Sequence, residues 1–405
     1  MKKLLQISIE VNSGSVGRIA EQIGVTAIQN GWQSYITYAR NNLPSQSKTI
    51  RIGSYVDVYY HVLQTRLFDN HCLASKSATY NLIDKINEIK PDIIQMHHIH
   101  GYFINMEVLF NYLKGIKIPI VWVFHDCWAF TGHCAYFDFV GCQKWKTECY
   151  ECEQKNEYPK SLLKDNSTNN YNLKKTLFTN IENMHIVCVS NWLMYNVKQS
   201  FLKDYPLSVI HNGIDTNVFK PYNNKEYVFE KYSIKTTSLV IGVANIWERR
   251  KGLNDILKLR EILDSNCTIL LVGLNKKQLA DLPKGIVGVL RTESIHTLAE
   301  LYSAADVFIN PTWEDTYPTT NLEAMACGTP VVTYETGGSV ESLTTETGIV
   351  VNKGSVVGMN NAIDKILNYG KGFYSENCRK RAENFFDKKF AFEKYLHLYN
   401  QLLND

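Results

Sequence analysis

The chain has 405 residues, of which 45% are hydrophobic, and this length allows roughly two to three domains, each with its own core. Its formal net charge is only +3, so charge alone indicates neither a nucleic-acid partner nor electrostatic anchoring to anionic lipid. No stretch approaches 18 consecutive apolar residues, and no transmembrane helix is predicted.

The N-terminus begins like a signal peptide, with two lysines before Leu4 and Leu5. Gln6 and Glu10 then break the apolar run, and the alternation over residues 4–11 is typical of a β-strand. Without an export signal we expect a cytoplasmic protein. Ten cysteines in such a reducing compartment do not indicate a disulfide framework.

Short apolar runs bounded by polar or turn-forming residues recur along the chain and alternate with helical patterns. Residues 14–17 (Gly-Ser-Val-Gly) separate the first strand from an apolar-periodic stretch over 19–28. Further strands are predicted at 92–96, 119–124, 186–189, 207–210, 239–244, 267–272, 286–290, 306–309 and 330–333. Strands of this length separated by helices predict an α/β fold with doubly wound parallel sheets.

A polar segment over residues 215–237 divides the chain into two regions of similar pattern. We therefore expect a first domain over 1–214, a linker over 215–237 and a second domain over 238–385. Residues 386–405 are predicted to form an amphipathic terminal helix. The segment 133–180 is aromatic, rich in Cys and Lys and without clear periodicity, which predicts an irregular excursion from the first domain.

An acidic loop containing Glu314 and Asp315 follows the strand predicted at 306–309. A helix is predicted to begin at Thr319 or Thr320, since either suits the N-cap, and Glu323 then falls in its first turn. Open α/β sheets bind ligands at the carboxyl ends of strands, and helix N-termini favour anionic groups. On spacing alone, a helix-stabilising glutamate beside a solvated loop explains the pattern equally well.

This stretch resembles the donor-site signature of the retaining glycosyltransferases of family 4, in which an acid and a later glutamate precede Ala-Met-Ala-x-Gly-x-Pro-Val-Val. Asp315 and Glu323 have the family spacing, and Glu314 lies one residue earlier. The resemblance implies that Glu323 binds the ribose of a sugar nucleotide and that Asp315, or its neighbour Glu314, contacts the donor sugar. Relatives often have a Gly-rich loop after the first acid, but this chain has a proline, which has no N–H to donate. The remaining candidates for donor contacts in that loop are Thr316, Tyr317 and Thr319.

A basic loop follows the strand predicted at 239–244. In the family an arginine and a Lys-Gly pair grip the diphosphate. Lys251 and the glycine after it match that pair, but Ile246 stands where relatives have the arginine. The resemblance implies that Arg250, or otherwise Arg249, replaces this cation, and Asn245 is a further candidate substrate contact. Cations there would stabilise the charge that builds on the leaving phosphate. Taken alone, the pattern also fits an ordinary basic surface loop.

Two motifs of the first domain complete the resemblance. His125 and Asp126 follow the strand predicted at 119–124. In the family a histidine at this place faces the donor sugar near its anomeric carbon, so the resemblance assigns that role to His125, with Asp126 as a substrate contact. The loop of Gly14, Ser15 and Gly17 corresponds to one that lies by the donor phosphates and the acceptor. A buried, hydrogen-bonded histidine and a glycine loop used only for packing are the alternatives.

Four cysteines fall close together, and the last two form a Cys-x-x-Cys pair. In a reducing compartment this pattern predicts a structural zinc site, in which His133 could replace one thiol. Unligated thiols in a packed segment fit equally well. The predicted ligands are Cys134, Cys142, Cys149 and Cys152.

The resemblance covers nearly the whole chain and implies a GT-B fold, in which two Rossmann-like domains face each other across a cleft that binds the sugar nucleotide. We expect a retaining glycosyltransferase that moves a sugar from a nucleoside diphosphate sugar to a glycan or lipid-linked acceptor in surface polysaccharide synthesis. The lysine and arginine imply that no cofactor is needed for catalysis. Such acceptors imply peripheral contact with the cytoplasmic face of the membrane.

Three other functions remain open from the sequence. A GT-B sugar-nucleotide epimerase shares the fold, and a non-catalytic sugar-nucleotide sensor shares the binding motifs. Five histidines between residues 97 and 133 allow a metallohydrolase, a different class of enzyme, although no His-Glu-x-x-His pattern accompanies them.

Overall fold

The computed structural model describes residues 1–404, which form two compact units. The first unit comprises Met1–His211 together with the end of the chain from Ala391, and the second comprises Asn212–Phe390. The segment expected as a linker, 215–237, is part of the second unit, because it contains a helix, Lys225–Lys231, and packs there.

The first unit is built on a seven-stranded sheet in which every pairing is parallel. Its strand order is β3-β2-β1-β4-β5-β6-β7. The strands are β1 (Lys3–Ile7), β2 (Gln33–Tyr38), β3 (Lys48–Arg51), β4 (Ile93–Met96), β5 (Ile120–Phe124), β6 (Met184–Cys188) and β7 (Leu207–Val209). All residues of β4 and β5 are buried, as expected for central strands covered on both faces.

Helices connect these strands and flank the sheet. They are α1 (Gly14–Gln29), α2 (Tyr55–Phe68), α3 (Lys76–Ile89), α4 (Met106–Leu113), α5 (Ser167–Phe178) and α6 (Asn191–Val197). Helix α1 shows why they pack: its buried Ile19, Ile23 and Ala27 recur at the spacing of one helix face. Helix α2 begins with a capping box between Ser54 and Asp57, which satisfies the free N–H groups of its first turn.

The second unit has a six-stranded sheet, again wholly parallel, of order β10-β9-β8-β11-β12-β13. Its strands are β8 (Ser238–Val243), β9 (Cys267–Val272), β10 (Ile286–Val289), β11 (Val307–Asn310), β12 (Val331–Tyr334) and β13 (Gly348–Val351). The helices are α7 (Lys225–Lys231), α8 (Leu253–Ile262), α9 (Lys276–Ala280), α10 (Ile295–Ala304), α11 (Thr319–Ala326), α12 (Val356–Tyr369) and α13 (Lys371–Arg381). The predicted α/β class with two doubly wound parallel sheets is therefore confirmed.

The last helix, α14 (Lys388–Leu402), lies in the first unit from Ala391 onward. Its Tyr399 is fully buried, and its ring lies 5.8 Å from that of Trp32 between centroids. A short π-helical turn, Ala382–Phe386, precedes α14. No helix among residues 1–404 is long and apolar enough to cross a membrane.

The segment expected as an irregular excursion, 133–180, is irregular only in its first part. Two single 3₁₀ turns, Asp138–Val140 and Lys144–Lys146, are its regular elements before helix α5 begins at Ser167. The helix was missed because polar residues dominate its sequence, and a buried lysine, Lys174, interrupts its apolar face.

Candidate functional site

Both sheets reverse their strand order between the first and the fourth strand along the chain, at β1 and β4 in one unit and at β8 and β11 in the other. Open parallel sheets bind ligands outside the carboxyl ends of the strands at such a switch point. The loop after β8 carries Lys251, and the loop after β11 carries Asp315. We call these two loops, together with Glu323, the charged site. The loops after β4 and β5 carry the histidine site: His97, His98, His100, His125 and Asp126.

An ion pair joins the two loops of the charged site. The loop after β8 ends in a 3₁₀ turn, Arg249–Lys251, and Lys251 Nζ lies 2.5 Å from Asp315 Oδ2. Burial lowers the pKa of Lys251, whereas the Asp315 carboxylate opposes that shift. The two side chains keep 21% and 13% of their surface exposed. The lysine is therefore held in place by a carboxylate and can still be reached by a ligand.

Arg250 joins the same two loops through backbone groups. Its Nη1 donates to the carbonyl of Glu314 at 3.2 Å, and its own carbonyl accepts from the N–H of Trp313 at 2.7 Å. Its Nε also lies 3.2 Å from the carboxylate of Glu248. Arg249 and Asn245, by contrast, are exposed. Of the two candidate arginines, Arg250 is thus the one that the fold positions beside Lys251.

Glycine is required where these loops approach other backbone segments. Gly252 has a φ of +76°, and a Cβ there would collide with the carbonyl oxygen of Pro311. Gly337 has a φ of +50°, and a Cβ there would collide with the carbonyl oxygen of Asp315. Only glycine combines a positive φ with such a close approach, so both loops are fixed by backbone packing.

Helix α11 positions Glu323 differently from the sequence expectation. The N-cap position is Pro318, and Thr319 and Thr320 lie inside the first turn without a side-chain cap. Glu323 consequently falls in the second turn, with only 9% of its surface exposed. The hydroxyl of Tyr302 donates to Glu323 Oε2 at 3.2 Å. Sequence analysis missed Tyr302 because this partner comes from another helix, α10.

The other acidic-loop candidates are mostly buried. Glu314, Thr316 and Tyr317 expose 3–5% of their surface. The N–H of Tyr317 donates to Asp315 Oδ1 at 3.2 Å, which fixes the carboxylate of Asp315 from the backbone. Thr319 is half-buried at the first position of α11. Asp315 is thus the more accessible of the two neighbouring acids.

The histidine site contains a buried chain of hydrogen bonds that leads to His125. His97 Nδ1 lies 3.1 Å from His125 Nε2, and their rings are stacked. On its other side, His97 Nε2 lies 3.0 Å from Gln6 Oε1 and 2.9 Å from Gln95 Nε2. The hydroxyl of Tyr399, in α14, donates to Gln95 Oε1. The chain therefore extends from the terminal helix through the sheet to His125.

The two histidines of this hydrogen-bond chain, His97 and His125, are neutral at neutral pH. Burial is the main cause: it lowers the pKa of His97 to about 3 and that of His125 well below its ordinary value. Neighbouring His98 lowers both further. A neutral imidazole can accept a hydrogen bond at one nitrogen and donate at the other, so His125 can orient a hydroxyl without adding positive charge.

Asp126 is occupied by the histidines of the loop after β4. His100 Nε2 and His98 Nε2 lie 3.0 and 3.3 Å from Asp126 Oδ2, and the N–H of Trp128 donates to Oδ1 at 3.0 Å. Burial alone would raise the pKa of Asp126, but His100 and His98 outweigh it and hold the pKa below its usual range. Among residues 1–404, these three side chains bring ligand atoms within 4.8 Å of one another, so the group could also hold a metal ion.

The glycine loop of the first unit lies at the start of α1. Gly14 has a φ of +62°, and a Cβ at Gly17 would lie 3.0 Å from the Glu10 carbonyl oxygen. Gly14 and Ser15 are exposed, whereas Gly17 is buried. The first turn of α1 is thus exposed at the carboxyl end of β1, where free N–H groups favour an anionic ligand.

The four cysteines predicted to bind zinc line the same cavity in the first unit, although their sulfurs are not gathered as closely as the ligand atoms of His98, His100 and Asp126. Cys134, Cys142, Cys149 and Cys152 all line one small cavity, and His133 lines it as well. None of them is part of the histidine site.

Comparisons with known proteins agree over both units. Residues 16–218 match the profile described as Glycosyltransferase Family 4, and residues 237–369 match the one described as Glycosyl transferases group 1. The putative colanic acid biosynthesis glycosyl transferase WcaC of Escherichia coli is 26% identical over 38% of this chain and 40% of its own length. The capsular polysaccharide biosynthesis glycosyltransferase CapM of Staphylococcus aureus is 26% identical over 54% of this chain and 62% of its own length. The chain thus matches about half the length of these curated relatives.

A third relative names an acceptor and a donor. It is the UDP-Gal:alpha-D-GlcNAc-diphosphoundecaprenol alpha-1,3-galactosyltransferase of Escherichia coli, 24% identical over 50% of this chain and 56% of its own length.

Solved structures share the fold over the whole chain. The sucrose-phosphate synthase of Thermosynechococcus elongatus superposes with a TM-score of 0.76 at 17% identity, covering 100% of both chains. The Anabaena protein HepE, solved with UDP and glucose, gives a TM-score of 0.68 at 14% identity over 99% of this chain and 100% of its own. At such identities the likeness concerns the fold.

Proposed function

Because the chain belongs to the family 4, group 1 glycosyltransferases, we propose that it transfers a sugar from a nucleoside diphosphate sugar to a glycan or lipid-linked acceptor, with retention of configuration. The observation that carries the proposal is the charged site. Lys251 and Asp315 form an ion pair between the loops after β8 and β11, Arg250 joins the same two loops, and Glu323 lies in the helix that follows the second loop.

The donor follows from the charges of this site. Lys251 and Arg250 supply cations for a diphosphate, and an arginine fork suits phosphate oxygens well. Glu323, fixed by Tyr302, offers a carboxylate that can accept hydrogen bonds from both hydroxyls of a ribose. Asp315 is the candidate contact to a donor-sugar hydroxyl. UDP and glucose in the HepE structure support this class of donor.

The reaction course follows from the groups available beside the donor. In the proposed step the C1–O bond to the diphosphate breaks, the acceptor oxygen bonds to C1 on the same face, and the acceptor proton passes to the leaving phosphate oxygen. Lys251 would stabilise the negative charge on that phosphate as it grows. This front-face course needs no carboxylate nucleophile and no covalent intermediate. Neutral His125 would orient the sugar near C1.

The acceptor is proposed from the relatives. The E. coli galactosyltransferase acts, by its name, on a diphosphoundecaprenol-linked sugar, and the CapM and WcaC proteins are named for surface polysaccharide synthesis. A lipid-linked acceptor would bring this protein to the cytoplasmic face of the membrane as a peripheral protein. The first unit, with its glycine loop and histidine site, is the proposed acceptor side.

Calorimetric titration of the full chain with UDP, GDP and ADP and with their sugars, in the presence of a chelator, tests the donor proposal. We expect one nucleoside diphosphate to bind without divalent metal, since the site offers cations of its own. If no nucleotide binds until magnesium or manganese is restored, the metal-independent scheme is wrong.

Product analysis then separates the alternatives. A labelled donor sugar that appears on a lipid-linked or glycan acceptor supports the transferase. A donor recovered as its epimer identifies an epimerase, and binding without any turnover identifies a sensor. Retention is checked by the anomeric configuration of the product in NMR spectra.

A further inference from the structure

The small cavity lined by the four cysteines has features that the proposed transfer reaction does not use. We call it the thiol cavity; it is lined by Cys134, Cys142, Cys149, Cys152 and His133, with Trp145 among its apolar walls. The N–H of Gly132 donates to Cys149 Sγ at 3.2 Å. Burial raises the pKa of the unligated Cys149 thiol, whereas this N–H opposes that shift and would favour the thiolate form that binds metal.

His133 is oriented as a metal ligand would be. Its Nδ1 lies 2.6 Å from Asp69 Oδ1, and both side chains are fully buried. The second carboxylate oxygen of Asp69 accepts from the N–H of Asn166 at 2.8 Å. With Nδ1 directed at Asp69, the other ring nitrogen, Nε2, is buried without a hydrogen-bond partner. Carboxylate–histidine pairs of this kind orient the ligands of zinc.

Lys174 is a buried amine: burial lowers its pKa to about 7, and the nearby groups that oppose this shift are Cys72, Cys149, Cys134 and Asp69. It is 1% exposed, and its Nζ donates to the carbonyls of Trp128 at 2.8 Å and Thr131 at 3.0 Å. Within residues 1–404 no carboxylate lies at ion-pair distance from it, yet Cys149 and Cys134 are among the groups that act on it electrostatically. A buried charge is costly unless it is compensated. Four thiolates around one divalent ion carry a net charge of −2, which would compensate the lysine.

We propose that the thiol cavity binds one zinc ion through Cys134, Cys142, Cys149 and Cys152, with His133 beside it, and that Lys174 is its buried counter-charge. Binding would release the thiol protons and draw the four sulfurs together around the ion. The site is structural and separate from the reaction. It would anchor the irregular segment before α5, whose Tyr158 donates its hydroxyl to the carbonyl of His100 at 2.7 Å. Zinc would thus hold one wall of the histidine site.

Elemental analysis of full-length protein purified without a metal column tests the proposal. We expect one zinc per chain. The double variant Cys149→Ser/Cys152→Ser should lose it, whereas Cys267→Ser, which changes a buried thiol of the second unit, should keep it. A chain without zinc, or a double variant that retains zinc, would overturn the proposal.

Two measurements on unmodified cysteines cover the case in which the double variant does not fold. Titration of the wild-type protein with a thiol reagent should release the zinc as the cluster thiols react. Cobalt exchanged for zinc should show thiolate-to-cobalt charge-transfer absorption. If cobalt binds without that absorption, and if Asp126→Asn no longer binds it, the ion lies at His98, His100 and Asp126 and the thiol site is refuted.

Lys174→Met separates a zinc site from a merely packed cluster. Without a metal–thiolate charge, removal of an uncompensated buried cation should leave the protein as stable or more stable. If the metal–thiolate charge is present, Lys174→Met should release zinc to a chelator at least tenfold faster than the wild-type protein does. Unchanged release would contradict the role of Lys174. None of these readouts depends on glycosyl transfer, so they stand or fall apart from the proposed function.

Discussion

The charged site and the histidine site both lie at the carboxyl ends of parallel strands, but they are built in opposite ways. In the charged site, Lys251 and Asp315 are partly exposed and paired with each other across two loops. In the histidine site, His97 and His125 are buried and connected to partners inside the protein. The first arrangement presents charges that a ligand can take over. The second holds neutral groups in one orientation.

This difference indicates how each site would respond to a substrate. A diphosphate can replace Asp315 as the partner of Lys251, because an ion pair that is partly exposed contributes little net stability. For His125 a change of partner costs more free energy, because breaking a buried hydrogen bond leaves the partner group unsatisfied. We therefore expect the charged site to exchange contacts during turnover and the histidine site to act through a fixed geometry. The predictions below test that contrast.

The largest effect is expected for Lys251→Ala. If this lysine stabilises charge that grows on the leaving phosphate, its loss should lower kcat on the order of 10²- to 10³-fold, as loss of one oxyanion donor does. Steady-state kinetics with the donor identified by calorimetry would measure it. The matched control is Lys225→Ala, which removes an ion pair with Asp306 at 2.7 Å elsewhere in the same unit. If the Lys251→Ala protein is folded and has a near-normal kcat, Lys251 does not stabilise the leaving phosphate, and Arg250 or Arg249 becomes the candidate for that role.

Glu323→Gln should act on binding more than on chemistry. A ribose looks the same in the ground state and in the transition state, so the variant should raise KM more than it lowers kcat. Loss of hydrogen bonds to a charged group corresponds to about 10- to 100-fold weaker donor binding. Calorimetry and kinetics together give the split. Tyr302→Phe, which removes the hydrogen bond from Tyr302 to the Glu323 carboxylate, should weaken binding less, and an equal loss in both variants would argue against direct ribose contact.

Acid should destabilise the first unit through its buried histidines. In the folded state burial depresses the pKa of His97 to about 3, whereas in the unfolded chain it is near 6.5. Between these values the unfolded state binds the extra proton, so stability is full above about pH 6.5 and falls as pH decreases, by up to about 1.4 kcal/mol per pH unit for this group.

The measurement is the unfolding midpoint of wild type and His97→Gln between about pH 6.5 and 4. The variant should lose less stability on acidification than wild type, even if it is less stable at neutral pH. His296→Gln, an exposed histidine of the second unit, is the control. Parallel pH curves for wild type and His97→Gln would contradict neutral burial of His97.

The smallest effect on the reaction is expected for His97→Gln. Since His97 contacts His125 and not the proposed substrate, it is a positioning residue, and its loss should lower kcat about 3- to 10-fold, as expected for one hydrogen bond. Nucleotide affinity, set by the second unit, should stay unchanged. Tyr399→Phe should have a weaker effect in the same direction because it lies two contacts further along the chain. Altered nucleotide affinity in His97→Gln would show that the two sites are not independent.

Local patterns were sufficient to predict the central strands and the class of fold. Strand β5 is a continuous apolar run, and β9 and β11 are apolar except for Thr268 and Asn310, because both faces of a parallel sheet are covered. The missed strands β2, β3 and β13 lie at or next to a sheet edge; β2 and β3 mix polar and apolar residues, and β13 is a short segment that begins with a glycine. For such strands, pairing with a neighbour decides the conformation more than composition does.

The charged site could be located from sequence because its loops lie next to recognisable strands. Its internal geometry could not. The ion pair between Lys251 and Asp315 spans 64 positions, and Tyr302 reaches Glu323 from a different helix. Prediction of Glu323 in the first helical turn was wrong, because Pro318 and not a threonine occupies the N-cap. Helix ends depend on such details of the cap.

The histidine chain left a signal in the sequence that was not used. Gln6 and Gln95 interrupt the apolar runs of β1 and β4, and both are fully buried. A buried amide needs partners, so a glutamine at such a position indicates a polar network in the core. Which groups take part could not be predicted, since Tyr399 comes from the far end of the sequence.

The return of helix α14 to the first unit has a consequence for biosynthesis. As the chain leaves the ribosome, every residue of the second unit emerges before the part of α14 that belongs to the first unit, from Ala391 onward, so the unit that starts later is complete earlier. Until α14 arrives, Trp32 and Gln95 lack the tyrosine that covers them, and Lys2 lacks Asn400, its partner at 2.7 Å. The nascent first unit would therefore have all seven strands of its sheet but lack the helix that covers Trp32 and Gln95, and the hydrogen-bond chain to His125 would be complete only once Tyr399 has been made.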